Sequence, residues 1–231
     1  MPDTAPKMPS WLRAVVFDLD GTLVDSAPDI ATAVTRALSD RAIVINAAEA
    51  RRYLGDGARR LMARVLAAHI GQVDDTTLDT LTARFNACYR EMPCQDSVMF
   101  AGVETALSRL ADAGVGLAIC TNKPQPIAEQ VVAHLGLDRF IDCVIGAGVY
   151  PLKPDPAPVL ACVSALGSNT ADTLYIGDMA VDRDAARAAG LPVVLAAFGY
   201  SATPVAEWHA DGVLSHWDEL ESTLEHIARP A

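Results

Sequence analysis

The sequence predicts an α/β protein: a Rossmann-like parallel-sheet core with an all-helical cap domain inserted into it. Three observations carry that expectation. Short, continuous, β-branched-rich apolar runs recur along the chain, amphipathic helical segments separate them, and one long interval early in the chain holds helical patterns alone. Continuous apolar strands alternating with helices indicate a parallel sheet covered on both faces, since neither strand face is left for polar residues. With 231 residues, 51% of them apolar, the chain has material for a large core and an inserted companion.

The first strand is AVVF (14–17). Later strands are VGLAIC from Val115, DCVIG from Asp142, TLYIG from Thr173 and PVVLA from Pro192. Between them, GVETALSRLADAG places Val103, Ala106, Leu107 and Leu110 on one helical face and stops at Gly114. PIAEQVVAHLG and AVDRDAARAAG stop likewise at Gly136 and Gly190, where a left-handed C-cap favours glycine. From about Val24 to about Val98 the alternation breaks. That interval reads as helices in APDIATAVTRALSD, NAAEARRYL, DGARRLMARVLAAHI and TTLDTLTARFNACYREM. Residues 1–23 and 97–231 are therefore assigned to the core and 24–96 to the cap.

The formal net charge of −11, with lysine only at positions 7, 123 and 153, argues against a nucleic-acid partner. Five scattered cysteines with no C-x-x-C pair fit neither a disulfide framework nor a zinc site, and point to a reducing cytoplasm. The opening MPDTAPKMPSWLR lacks the apolar stretch of a signal peptide. The uncharged window from Ala188 to Ala206 is broken by Gly190, Pro192, Gly199 and Pro204, so it reads as helix end, strand and loop, and no membrane association is expected. The expected state is a monomer or homodimer.

Ligands of an open parallel sheet sit beyond the carboxyl ends of its strands. Here the first strand ends in Asp18-Leu19-Asp20, the second in Thr121-Asn122, and TLYIG in Asp178 with Asp182 four residues on, while Lys153 follows DCVIG. Clustered carboxylates repel unless a hard cation lies among them, and oxygen ligands on short loops suit Mg²⁺. Thr121, Asn122 and Lys153 offer a hydroxyl, amide and ammonium donors to a phosphoryl group. The four aspartates outweigh one Mg²⁺ and Lys153 by a single charge, so one aspartate is expected to hold a proton. Asp20 in that role is a general acid/base, and Asp18 the nucleophile that forms an aspartyl-phosphate. Alone, Asp20-Gly21 reads as a turn and Lys153 as a solvated lysine. An EF-hand is excluded because Leu23 stands where its loop needs glycine, and no glycine-rich nucleotide loop occurs.

DLDGTLVDS, CTNK, the lysine of LKPDP, and IGDMAVDRDAARAAG together resemble the four ordered motifs of the haloacid dehalogenase-like hydrolase superfamily. TNKP, KPDP, FGYS and LGDGARRLMARVL resemble its phosphoglycolate phosphatase branch. The resemblance implies Asp18 as nucleophile, Asp20 as acid/base, and Thr121 and Lys153 on the phosphoryl group. It implies Mg²⁺ held by Asp18, Asp178 and the Asp20 main-chain carbonyl, with Asp182 orienting the metal's waters. Met179 departs from the serine or threonine that many relatives carry.

Within the superfamily, Asp20 argues against a dehalogenase, and a cap without lysine argues against a phosphonatase. The resemblance leaves a small phosphorylated metabolite as substrate. 2-Phosphoglycolate is favoured, with a sugar phosphate such as N-acetylmuramic acid 6-phosphate, or a β-phosphoglucomutase-like transfer, as alternatives. Gly55, Asp56, Gly57 and Arg59 (or Arg60) are candidate cap residues for a substrate carboxylate, although the same stretch also reads as a plain interhelical turn.

Overall fold

The computed structural model describes residues 8–229. Most of the N-terminal stretch read for a signal sequence, and the outermost residues of the segments assigned to the core, lie outside the described residues. In chain order the elements are β1 (Ala14–Phe17), β2 (Val24–Asp25), α1 (Ala27–Ala37), α2 (Ala47–Arg51), α3 (Ala58–His69), α4 (Asp75–Glu91), β3 (Val98–Met99) and α5 (Val103–Asp112). They continue with β4 (Gly116–Pro124), α6 (Gln125–His134), β5 (Cys143–Ala147), α7 (Ala157–Ala165), β6 (Thr173–Gly177), α8 (Ala180–Ala188), β7 (Val193–Ala196), β8 (Gly212–Leu214) and α9 (Leu220–Leu224).

Six strands form one sheet in the order β5-β4-β1-β6-β7-β8, and every neighbouring pair is parallel. The fold is the α/β core with surrounding helices that the apolar runs predict. Alternation along the strands explains why those runs are continuous. Val15 and Phe17 join one buried cluster with Leu117, Ile119, Leu174 and Ile176, whereas Val16, Ala118, Cys120 and Tyr175 join a second cluster. Both faces are dry, so both phases of the strand must be apolar. The sixth strand, GVL at Gly212–Leu214, goes beyond the five read from sequence, since three residues carry no usable period.

Register sets the strand ends level. Phe17 pairs with Ile119 on one side and Ile176 on the other, so the residues that follow all three emerge along one edge. β4 runs further than its apolar core, through Thr121, Asn122 and Lys123 to Pro124, with an irregular register against β5 after Cys120. Gly146 permits that course: a Cβ there would fall 2.7 Å from Gln125 Cα and 2.8 Å from the Lys123 carbonyl oxygen.

The helices α1–α4 lie in sequence between β2 and β3, which pair as a short antiparallel ribbon. Buried Asp29 near the start of α1 ties this exit to the return, accepting hydrogen bonds from the backbone N–H of Gln95 (3.0 Å), Asp96 (3.1 Å) and Ser97 (2.8 Å) and from the Ser97 hydroxyl (2.5 Å). Leu61, Met62, Val65, Leu78, Leu81 and Phe85 bury the facing stripes of α3 and α4. Among the described residues no helix is long and apolar enough to cross a membrane.

Candidate active site

Asp18 leaves β1 with its backbone N–H bonded to the Ile176 carbonyl (2.9 Å), so the ladder itself carries the carboxylate into the row of strand ends. It is 7% exposed, and Asp178 and Asp182 beside it are fully buried. One carboxylate oxygen from each of the three lies within 4.8 Å of the others. Burial, then the Asp182 and Asp20 charges, raise the Asp18 pKa to about 6, with Lys153 opposing. Burial, followed by the Asp182 and Asp18 charges, pushes Asp178 well above the usual carboxylate range, against hydrogen bonds from the Tyr200 N–H (2.7 Å) and the Thr22 hydroxyl (3.2 Å).

The chain closes tightly around Asp178. Gly21 (φ +87°) and Gly199 have no room for a Cβ, because it would collide with the Asp178 side chain. Three carboxylates held this close in a dry site ask for a divalent cation. The residues fit one. Asp18 Oδ1 is buried, lies 2.9 Å from Lys153 Nζ without the alignment of a hydrogen bond, and has no hydrogen-bond partner. Asp182 is differently placed, because its oxygens are already engaged. Oδ1 accepts from Lys153 Nζ (2.7 Å) and the Tyr175 hydroxyl (3.0 Å), and Oδ2 from the backbone N–H of Met179 (2.9 Å) and Asp178 (3.2 Å). Burial disfavours the Lys153 ammonium, but Asp18 and Asp182 outweigh it and raise its pKa above the ordinary lysine range.

Asp20 accepts from the Ser26 hydroxyl (2.5 Å) and from Lys123 Nζ (2.6 Å), and Lys123 also donates to the Tyr89 hydroxyl of α4 (2.6 Å). Sequence reasoning missed both Lys123 and Tyr89. The available signal was lysine scarcity, since two of the three lysines stand at this edge. Lys123 also corrects the charge count. With two lysines and a divalent cation the four aspartates are balanced, and the stated reason for a protonated aspartate disappears.

Thr121 accepts from the Lys123 N–H (3.2 Å), which leaves its own hydroxyl proton free to donate. The Asn122 side chain is not free: its Nδ2 donates to the carbonyls of Lys153 (3.1 Å) and Gly55 (3.2 Å), and its Oδ1 accepts from the Lys153 N–H (2.8 Å). A cavity of about 50 Å³ lies over Asp18 and Asp20, floored by Thr121 and Lys123 and walled by Leu54, Gly55, Gly57, Leu61, Phe85 and Tyr89. Gly55 also meets Met179, since a Cβ at this φ +111° position would fall 2.7 Å from the methionine Cε.

The structure does not bring Arg59 or Arg60 to the cavity. Arg59 is half exposed and pairs with Asp75 (2.6 Å) and Asp79 (2.6 Å) on the outer side of α3 and α4. Asp56 is taken by Arg64 and, at 3.8 Å, by Arg60. Arg59 is captured by acidic residues of the next helix, which the local pattern around Gly55–Gly57 does not reveal, whereas Arg60 and Arg64 turn to Asp56 within that stretch.

Residues 12–190 match the family model described as haloacid dehalogenase-like hydrolase. The chain belongs to that family. This hydrolase is 40% identical over 218 residues to the phosphoglycolate phosphatase of Cereibacter sphaeroides (strain ATCC 17025), covering 94% of this chain and 99% of the relative. It is 38% identical over 225 residues to that of Rhodospirillum rubrum, covering 94% and 92%. Its fold superimposes with a TM-score of 0.84 on a predicted phosphoglycolate phosphatase from Haemophilus somnus, at 27% identity and covering 92% and 98% of the two chains. Family and relatives together make this hydrolase a phosphatase.

Proposed function

We propose that this hydrolase is a Mg²⁺-dependent phosphomonoesterase that works through an aspartyl-phosphate and favours 2-phosphoglycolate. The observation that carries the mechanism is the Asp18 carboxylate at the end of the central strand, flanked by Lys153 and the Asp178–Asp182 pair and opening on the same cavity as Asp20. Names of relatives at 40% and 38% identity support the substrate. In this reading residues 24–96 are a cap over a core of 1–23 and 97–231.

Asp18, Asp178 and the Asp20 main-chain carbonyl would hold the Mg²⁺. Asp182, each of its oxygens already accepting two hydrogen bonds, fixes Lys153 and the start of α8 rather than the metal's waters. Bound Mg²⁺ supplies Lewis-acid neutralisation of phosphate oxygens and keeps Asp18 ionised. Thr121 and Lys153 grip the phosphoryl group, and Asn122 acts by holding the Lys153 loop.

An Asp18 oxygen attacks phosphorus and the bond to the ester oxygen breaks. That oxygen takes a proton from Asp20. Asp20 then removes a proton from water, whose oxygen attacks the phosphorus and releases Asp18 and inorganic phosphate. In the substrate-free site Asp20 is paired with Lys123. Arrival of a phosphate dianion returns the site to net negative charge, and in this reading Asp20 enters the first step as the acid.

Phosphate release, with and without Mg²⁺, from 2-phosphoglycolate, N-acetylmuramic acid 6-phosphate, hexose phosphates and an aryl phosphate tests the proposal. Metal-dependent preference for 2-phosphoglycolate is expected. Preference for a sugar phosphate overturns the substrate, and release independent of metal overturns the mechanism.

A further inference from the structure

Lys123 is the one cation among the residues that line the cavity over Asp18. Its side chain is 1% exposed, and its Nζ lies 2.6 Å from Asp20 Oδ1, 2.6 Å from the Tyr89 hydroxyl and 4.7 Å from the Tyr89 ring centroid. An ammonium carries three donors. Those two oxygens engage two of them, which leaves one for a ligand. Apolar groups of Leu54, Leu61 and Phe85 line the same cavity, and Arg59, Arg60 and Arg64 are turned to Asp75, Asp79 and Asp56. An anionic group entering with the substrate's alcohol portion therefore has Lys123 as its partner in the cavity.

We propose that Lys123 determines specificity by pairing with a carboxylate on the leaving alcohol, which makes the site selective for phosphate esters of small 2-hydroxy acids. This rests on the phosphomonoesterase reading above. The spacing follows from bonding: in such an ester the carboxylate carbon is two bonds from the ester oxygen. Asp20 serves that oxygen, and Lys123 is hydrogen-bonded directly to Asp20. The acid/base and the selecting cation are thus one hydrogen bond apart, as the reacting oxygen and the carboxylate are within one short substrate. A neutral amide offers the third donor only a carbonyl oxygen, whereas the acid meets it with a charge-assisted bond about twice as strong. Tyr89, reaching in from α4, steadies the ammonium from the cap side.

The test compares kcat/KM for 2-phosphoglycolate and for its primary amide, equal in size but uncharged, using the full chain with Mg²⁺. The parent, Lys123→Gln and Lys123→Arg are measured. The parent is expected to prefer the acid by at least about tenfold. Lys123→Gln should bring that ratio near unity, chiefly through KM for the acid, and Lys123→Arg should retain part of it. A lysine that only holds Asp20 lowers both rates together and leaves the ratio unchanged, and that result overturns the proposal while sparing the phosphatase reading. A parent that hydrolyses acid and amide equally well, or neither, overturns the substrate reading itself. Far-UV circular dichroism checks folding. If Lys123→Gln unfolds, Lys123→Met replaces it, and failure of both makes Lys123 a structural tie and overturns the proposal.

Discussion

Asp18 is the residue on which burial and chemistry pull hardest against each other. Burial raises its pKa from 3.8 to about 6 in the metal-free protein. Between those values the native state holds the proton that the unfolded chain has released. The contribution of Asp18 to stability is therefore fully present below pH 3.8 and is lost as pH rises through about 6. Asp18→Asn removes that loss. Relative to the parent, the metal-free variant should gain stability as pH is raised from 4 to 7, as thermal melts across that range would read. The same variant should have no measurable phosphate release despite its intact fold. A variant that tracks the parent at every pH contradicts the buried-charge account, and residual turnover contradicts the nucleophile assignment.

Among the elements, the β2–β3 ribbon and the start of α1 carry the tie between the helical segment and the sheet. Asp29 there satisfies the N–H groups of Gln95, Asp96 and Ser97 in succession. Removing their acceptor strands the N–H and hydroxyl of buried Ser97, donors that cost about 1–3 kcal/mol each when unpaired, while exposed Gln95 and Asp96 turn to water. Asp29→Ala should accordingly lose on the order of 3 kcal/mol in urea denaturation, water entry offsetting part of the sum. A loss under about 0.5 kcal/mol would show that these donors find water at little cost. The apolar runs made five of the sheet's strands legible, because continuous burial leaves a local trace. β8 is too short to leave one. β4 shows a limit of a different kind: its polar end, Thr121 to Lys123, belongs to the strand by pairing that its composition does not announce.

Across the whole molecule, the candidate site gathers residues from widely separated stretches, and the extent to which each was readable follows from what holds it. Asp18, Asp178 and Lys153 are placed by strand ends, which the alternation of elements locates. Lys123, Tyr89 and the outward turn of Arg59 depend on partners 34, 103, 16 or 20 residues away, which no local pattern encodes. Because the metal would join β1 to the loop after β6, its binding should stabilise the fold as a unit. At a hundredfold excess over Kd, Mg²⁺ should add about 2.7 kcal/mol, or roughly 5–10 °C in Tm for a chain of this length. Asp178→Asn should abolish most of that shift in calorimetry, and an undiminished shift would remove Asp178 from the ligand set. The central claim, covalent catalysis at Asp18, is tested most directly in Asp20→Asn, where the second half-reaction lacks its base. Acid quenching after mixing with 2-phosphoglycolate and Mg²⁺, followed by peptide mass spectrometry, should find one phosphoryl group on the peptide that contains Asp18. Turnover without any phosphorylated peptide, or a phosphoryl group on a different residue, would contradict the account.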